Sequence, residues 1–392
     1  MKGMRKIYIS AYIRYDDKKT RIILPANDNL IHNLLNESGM PTDTTLPFTV
    51  REIEYPNELS ILEGRDVNLD ELNYLSKQLD IFTEDELMQF YVALDHQKPE
   101  CLKDMINLAF NLDKFTLIRD VGDMIKVGRR YTMNTEGSIP ADSSEDEKFA
   151  QIGKELLSTR QSIITDKGLL FVEDKPIETI YDGKVFPPFA YYDCIACVIL
   201  EHEGKKECLF LPDSKYAIEK AVTRIGALSL EDCSCELSSL DARYEKLKSC
   251  FEAVLGKEGI NNLNSLLRII YDNDIEPKKL RAAIDYAEVS SSKNIGIIAE
   301  NLDDFDLIED VCYGDYDFVG RYFVDSDCYD EYDVSDELRD FVDFAEFGEH
   351  IIDEKCGEFV SEGLLFYDGN HDVSEILDQL EDEDNSMTMG GL

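Results

Sequence analysis

The sequence predicts an α+β fold: an elongated, multi-domain chain of two tandem repeats. Each repeat is expected to carry a β-hairpin and helix module, then a helical module, then a small acidic α/β module. Three observations lead there. Collinear internal matches run the length of the chain, alternating and helical apolar patterns recur in the same order in each copy, and acid accumulates in the second copy. "IILPANDNLIHNLLNESGM" (22–40) aligns with "LFLPDSKYAIEKAVTRIGA" (209–227), and "NLDKFTLIRDV" (111–121) with "NLDDFDLIEDV" (301–311). "GRRY" (128–131) aligns with "GRYF" (320–323), "FAQIGKEL" (149–156) with "FAEFGEHI" (344–351), and "KGLLFV" (167–172) with "EGLLFY" (362–367). The offset grows slowly from 187 to 195, as a duplication with small insertions requires. The copies are placed at 1–184 and 193–378. A stiff Pro-containing joint (185–192) lies between them, and a disordered tail is expected at 379–392.

Each copy opens on alternating strands, "KIYISAYIRY" and "TRIILP" around "DDKK", then "CIACVIL" and "ECLFLP" around "EHEGKK". Alternation of this kind predicts hairpins. A helix is expected next (27–38; 213–225), then an extended stretch (47–55; 233–240). Leu72, Leu75 and Leu79 in the first copy, and Leu263, Leu266, Leu267 and Ile270 in the second, fall at helical spacing. A Gly- and Tyr-punctuated segment, one more helix and a closing "GLLF" strand complete each copy. In the second copy this last helix is expected over 335–352. Ser335 would be its N-cap, with Leu338, Phe341, Val342 and Ala345 on an apolar face and Asp336, Asp340 and Asp343 on the solvated one.

The formal charge of −42 is unevenly placed. Residues 1–190 hold 23 Lys/Arg against 33 Asp/Glu, whereas residues 191–392 hold 17 against 49. Adaptation to high salt would acidify both copies alike. Direct nucleic-acid binding needs the opposite sign of charge, so a basic protein is the natural partner. No apolar run is long enough to span a bilayer, and the opening basic residues precede a strand pattern rather than a signal peptide. Ten Cys without framework spacing read as reduced thiols, and a cytoplasmic protein is expected.

Searches for chemistry return little. The chain has no phosphate-loop, dinucleotide, zinc-protease or nucleophile-elbow motif, and its five His are scattered, so no enzyme and no cofactor are expected. "CIAC" (194–197) and "CSC" (233–235) read as core and surface thiols rather than a zinc site. "DSDCYDEYDVSD" (325–336) lacks the Gly and Glu that a calcium loop requires, and no metal is assigned.

The Leu-rich helical region, "NLDxFxLIxDV", "GRYFVD", "YDVSDELRDFVDFAEFGEHI" and "GLLFYDG" together resemble the ArdA-type antirestriction proteins of mobile genetic elements. The resemblance is clearest over 260–370 and recurs more weakly over 70–183. The sequence departs from that family in having no Trp and in holding two copies where members are single units that dimerise. A homodimer and a single-chain pseudo-dimer both remain open. The resemblance implies mimicry of B-form DNA that blocks the DNA groove of a type I restriction–modification enzyme. Another defence nuclease, such as a CRISPR effector, is the alternative target, and a non-inhibitory acidic scaffold for a basic partner is the alternative role. At one charge per ~1.7 Å of duplex, the net charge matches roughly 70 Å of DNA.

The expected partner surface comprises Asp303, Asp304, Asp306, Glu309, Asp310, Asp315, Asp317, Asp325, Asp327, Asp330, Glu331, Asp333, Asp336, Glu337, Asp340, Asp343 and Glu346. Three of these, Asp304, Asp306 and Glu309, replace Lys114, Thr116 and Arg119 on an otherwise retained frame, and this exchange is expected to mark where the copies differ in purpose. Lys114, Arg119, Lys126, Arg129 and Arg130 make the first copy a poor phosphate mimic, suited instead to packing, dimerisation or a different contact.

Overall fold

The computed structural model describes residues 8–158, 162–189, 191, 194–325, 332, 334–369, 373, 376 and 377. The architecture is mixed α+β with several small sheets. Copy one runs β1 (Ile9–Tyr15), β2 (Lys18–Leu24), α1 (Asp28–Glu37), β3 (Phe48–Tyr55), β4 (Asp66–Val67), α2 (Leu69–Asp80), α3 (Glu84–Gln97) and α4 (Leu102–Phe110). It closes with β5 (Phe115–Ile118), α5 (Met124–Glu136), α6 (Asp146–Ser158), β6 (Ser162–Thr165) and β7 (Gly168–Val172).

Copy two repeats the order with two helices added, α8 here and α13 below, and, among the described residues, with no counterpart of the short β4: β8 (Ala196–His202), β9 (Lys205–Leu211), α7 (Lys215–Ile225), β10 (Ser234–Leu240), α8 (Lys248–Glu258), α9 (Ile260–Asp272), α10 (Pro277–Ala287) and α11 (Ser292–Glu300). Then follow β11 (Phe305–Glu309), α12 (Tyr316–Asp325), α13 (Asp336–Arg339), α14 (Phe344–Glu354), β12 (Glu358–Val360) and β13 (Gly363–Tyr367). The last sheets have the same strand order in both copies, β5-β7-β6 and β11-β13-β12.

Local chemistry explains why the copies fold alike. Both hairpins turn through a left-handed residue at matching positions, Asp16 and Glu203. Asn73 accepts from the Ala26 amide at 2.9 Å and donates to the Ala26 carbonyl at 2.8 Å, which ties α2 to the chain after β2. Asn264 does the same to Asp213, at 2.9 and 2.8 Å. These two buried amides stand inside Leu-rich helices, and their partners satisfy both ends of each side chain.

The helix expected over 335–352 is corrected: it is two pieces, α13 and α14, with a turn between them. Asp343 caps α14, its carboxylate accepting from the Ala345 amide at 3.2 Å and the Glu346 amide at 3.1 Å. An Asp at an N-cap is worth more than one inside a helix, so the chain restarts there. The buried face becomes Phe344, Gly348, Ile351 and Ile352, while Leu338 and Phe341 are exposed. Ser335 makes no side-chain cap bond. The reading of ten reduced thiols is corrected too, because Cys197 and Cys208 are disulfide-bonded. Cys194 is buried and is not part of a disulfide.

Two compact units form, and they do not coincide with the copies. One comprises residues 1–192, 200–209 and 214–233; the other comprises 193–199, 210–213 and 234–392. The first unit therefore includes α7 of copy two beside α1 of copy one, with His32 stacked on Tyr216 at 4.6 Å. Phe186 and Pro187 of the expected joint contribute to this unit's packing. Phe186 stacks on Tyr74 at 4.4 Å and lies under Arg224, and the Tyr74 hydroxyl donates to the Pro187 carbonyl. The tail over 379–392 lies outside the described residues.

A buried ionic cluster ties α7 into this unit. Asp70 accepts from Lys220 at 2.9 Å, Thr44 at 2.6 Å and Arg224 at 3.1 Å. Lys220 also reaches Asp28 at 2.8 Å, and Arg224 Nε donates to Glu207 Oε1 at 2.8 Å. Glu207 is 1% exposed, and its Oε2 has no hydrogen-bond partner. Burial pushes the Glu207 carboxyl up to about 7, against the opposing pull of Arg224. Since the folded value lies above the ordinary value of 4.5, the folded state keeps a proton that the unfolded chain has lost. The stability this group contributes is complete below about 4.5 and is lost as pH rises through about 7. Melting curves of the full chain from pH 5 to 8 should show a decline that Glu207→Gln flattens. Equal slopes for the two proteins would disprove the assignment.

Candidate partner-binding surface

The acidic module is built on a close helix pair. Gly320 of α12 and Gly348 of α14 meet where a Cβ on either would stand 2.0 Å from a backbone carbonyl oxygen of the other helix, Phe344 and Tyr316 respectively. Val319, Phe323, Ile351 and Ile352 pack below this crossing against Ile308, Leu364 and Phe366 of the sheet. Arg321 lies over the Phe344 ring at 4.3 Å. Copy one matches each part: Gly128 and Gly153 cross in the same way, and Arg129 lies over Phe149 at 5.0 Å. The quoted "GRYF" and "FAEFG" matches are thus the crossing itself.

Outside this frame stands the acid. The side chains of Asp303, Asp306, Glu309, Asp310, Asp315, Asp317, Asp325, Asp340, Asp343 and Glu346 are exposed, and Asp304 is half-buried. Asp327, Asp330, Glu331 and Asp333 lie outside the described residues, as do the side chains of Asp336 and Glu337, whose backbone belongs to α13.

Several of these carboxylates have local tasks. Glu309 pairs with Lys278, Asp317 holds Arg321 at 2.7 Å, and Asp325 holds Arg339 at 2.6 Å. The bond to Asp317 raises the Arg321 guanidinium above its ordinary value. Asp343 is a cap, and Asp315 accepts from the Phe318 amide at 3.4 Å. The carboxylates of Asp303, Asp310, Asp340 and Glu346 make no ion pair among the described residues. Glu346 continues along α14 into Glu349 and Asp353, both exposed and both absent from the sequence-based set. Their steps of three and four residues place them on one helical face, about 4.5 and 6 Å apart along the axis. The signal was available in "FAEFGEHIID", but only with the helix start fixed at Asp343.

The three exchanged positions need a correction on the copy-one side. Lys114 is buried, 5% exposed, and donates to Asn111 at 2.6 Å, the Pro176 carbonyl at 2.8 Å and Glu178 at 3.0 Å. Thr116 is buried beneath α5, where Asn134 Nδ2 donates to its hydroxyl at 2.9 Å. Only Arg119 is exposed, near Asp85 at 3.8 Å. The basic cluster of copy one is likewise divided by role. Arg129 is tied to Asp146 and the Pro140 carbonyl, Arg130 faces Asp85 at 3.8 Å, and Lys126 is exposed. In copy one, α5 runs to Glu136 and covers β5.

No family model matches the chain, and no curated protein matches it. Among the described residues, no group of His, Cys, Asp and Glu is placed to hold a metal ion, and no helix is long and apolar enough to cross a membrane.

Proposed function

We infer that the chain is a non-enzymatic antirestriction protein of the cytoplasm, whose second copy mimics B-form DNA and occupies the DNA groove of a type I restriction–modification enzyme. One observation carries this reading. Copy two keeps the glycine crossing and the sheet core of copy one, and surrounds them with exposed carboxylates. Acid of like sign on one face costs stability through repulsion, so a basic partner that relieves it is a physical reason for keeping it. Attraction of this kind speeds encounter and weakens with salt.

The test is competition. A purified type I enzyme is mixed with labelled duplex carrying its recognition site, and the full chain is added at low salt. Displacement of the duplex is expected, with an inhibition constant that worsens steeply as salt rises. Neutralising Asp303, Asp306, Glu346 and Glu349 to the corresponding amides should weaken inhibition about tenfold and reduce the salt slope. Arg119→Glu in copy one should leave inhibition unchanged. Lys114 and Thr116 are unsuitable controls because their replacement would disturb the core. Undiminished DNA binding at low salt with the chain in large excess would refute the type I target. The same assay on a CRISPR effector then tests the alternative victim.

A further inference from the structure

The end of α13 and the turn after it present two apolar side chains in the middle of the acid. Phe341 is 85% exposed and Leu338 58%. Single exposed apolar residues are ordinary and need no explanation. This pair differs in being held in a fixed turn. The Leu338 amide donates to the Ser335 carbonyl at 2.8 Å, the Phe341 amide to the Leu338 carbonyl at 2.9 Å, and the Val342 amide to the Arg339 carbonyl at 3.2 Å. Arg339 is anchored by Asp325, and Asp343 fixes the chain into α14. Exposed carboxylates of Asp340, Asp343 and Glu346 flank the pair.

Copy one shows that the fold does not require apolar residues there. At the offset of 195, Ser143, Asp146 and Glu147 stand where Leu338, Phe341 and Val342 stand. Asp146 holds Arg129 at 3.1 Å, whereas in copy two the equivalent Arg321 is held by Asp317. Phe341 has therefore replaced a carboxylate whose structural task is done elsewhere. A surface evolving toward phosphate mimicry alone gains nothing from losing that acid and exposing a phenyl ring.

We propose that Leu338 and Phe341 form an apolar anchor for a basic protein partner, inserting into an apolar recess bordered by Lys or Arg side chains while Asp340, Asp343 and Glu346 meet the basic border. Charge selects this occupant. A second copy of a chain with net charge −42 would bring the same carboxylates face to face, and a nucleic acid would be repelled likewise. Simple cations have no use for a phenyl ring. Aromatic residues at the centre of an interface commonly supply most of its binding energy, with the charged surround setting rate and register. The proposal rests on the reading above that the acidic copy meets a basic partner, and it adds that recognition is of a protein surface.

Two labelled peptides of equal positive charge separate the contributions: oligolysine, and an amphipathic peptide alternating Lys with Leu. At about 0.15 M salt, where exposed charges are screened beyond ~8 Å, the full chain is expected to bind the Lys–Leu peptide about tenfold more tightly than oligolysine. The Leu338→Ser/Phe341→Ser double variant should lose that preference while binding oligolysine like the parent chain. Both positions are exposed, and a melting curve matching the parent chain's confirms that the variant is folded. No preference in the parent chain, or a preference retained by the variant, overturns the anchor. So does self-association of the parent chain in sedimentation that the variant abolishes, which would assign the pair to a second copy. The duplex-competition assay reports separately on mimicry. A double variant that displaces DNA as well as the parent chain removes the anchor and leaves the mimic, whereas peptide preference without displacement leaves the anchor and removes the type I target.

Discussion

Asp70→Ala is expected to cost the first compact unit about 3–5 kcal/mol, the loss typical of removing one partner from a buried ion pair. Asp70 is the only carboxylate among the described residues that bonds both Lys220 and Arg224. Without it Lys220 keeps Asp28 and Arg224 keeps Glu207, but the Thr44 hydroxyl loses its acceptor. The two cations then share Asp28 and a Glu207 that burial pushes toward its protonated form, so the pocket holds less negative than positive charge. Asp70→Asn retains an acceptor for Thr44 and should cost less than alanine. Urea denaturation followed by hydrogen exchange of the α1 and α7 amides measures both. A midpoint unchanged by the alanine would show the cluster to be energetically neutral.

This cluster also shows where sequence reading stops. The hairpins, the first helices and the closing "GLLF" strands are legible because each is fixed by residues close in sequence, and the structure places them within about three residues of the expected bounds. Lys220 and Asp70 are 150 residues apart, and neither departs from the ordinary pattern of a solvated helix face. Only the duplication hints at their pairing. At the offset of 187, Asn33 and Glu37 stand in copy one where Lys220 and Arg224 stand in copy two, so the cations belong to one copy and the aspartates they bind, Asp28 and Asp70, to the other.

The candidate surface was legible in the same partial way. Acid exchanged on a retained frame is a local comparison, and of the three exchanged acids Asp306 and Glu309 are exposed and Asp304 is half-buried. The meaning of the exchange at position 116 depended on Asn134, eighteen residues further along and on a helix whose length the sequence did not disclose. The break before α14 depended on a competition that periodicity does not weigh. Leu338, Phe341, Val342 and Ala345 fit one helical face, yet Asp343 inside that run gains more as a cap than as a helical residue.

Gly348→Ala should unfold the acidic module's helix pair, at a cost of about 3 kcal/mol. A methyl group at this position would stand 2.0 Å from the Tyr316 carbonyl oxygen and 2.8 Å from the Gly320 amide nitrogen. Both obstacles are backbone, so no side chain can swing aside, and relief requires α12 and α14 to separate. Separation opens the cluster of Val319, Phe323, Ile351 and Ile352 on the sheet, where interior packing tolerates little gap. Hydrogen exchange should show lost protection in α12 and α14 while β1, β2 and α1 of the first unit keep theirs. Gly153→Ala, whose methyl would stand 2.2 Å from the Met124 carbonyl oxygen, should do the equivalent to α5 and α6. The pair of variants then divides the two meanings of the repeat. If the acidic surface acts, the Gly348 variant loses displacement of duplex DNA and the Gly153 variant, equally destabilised in its own module, retains it. Loss in both would mean that the first copy's helix pair contacts the target as well, and the division of labour between the copies would have to be abandoned.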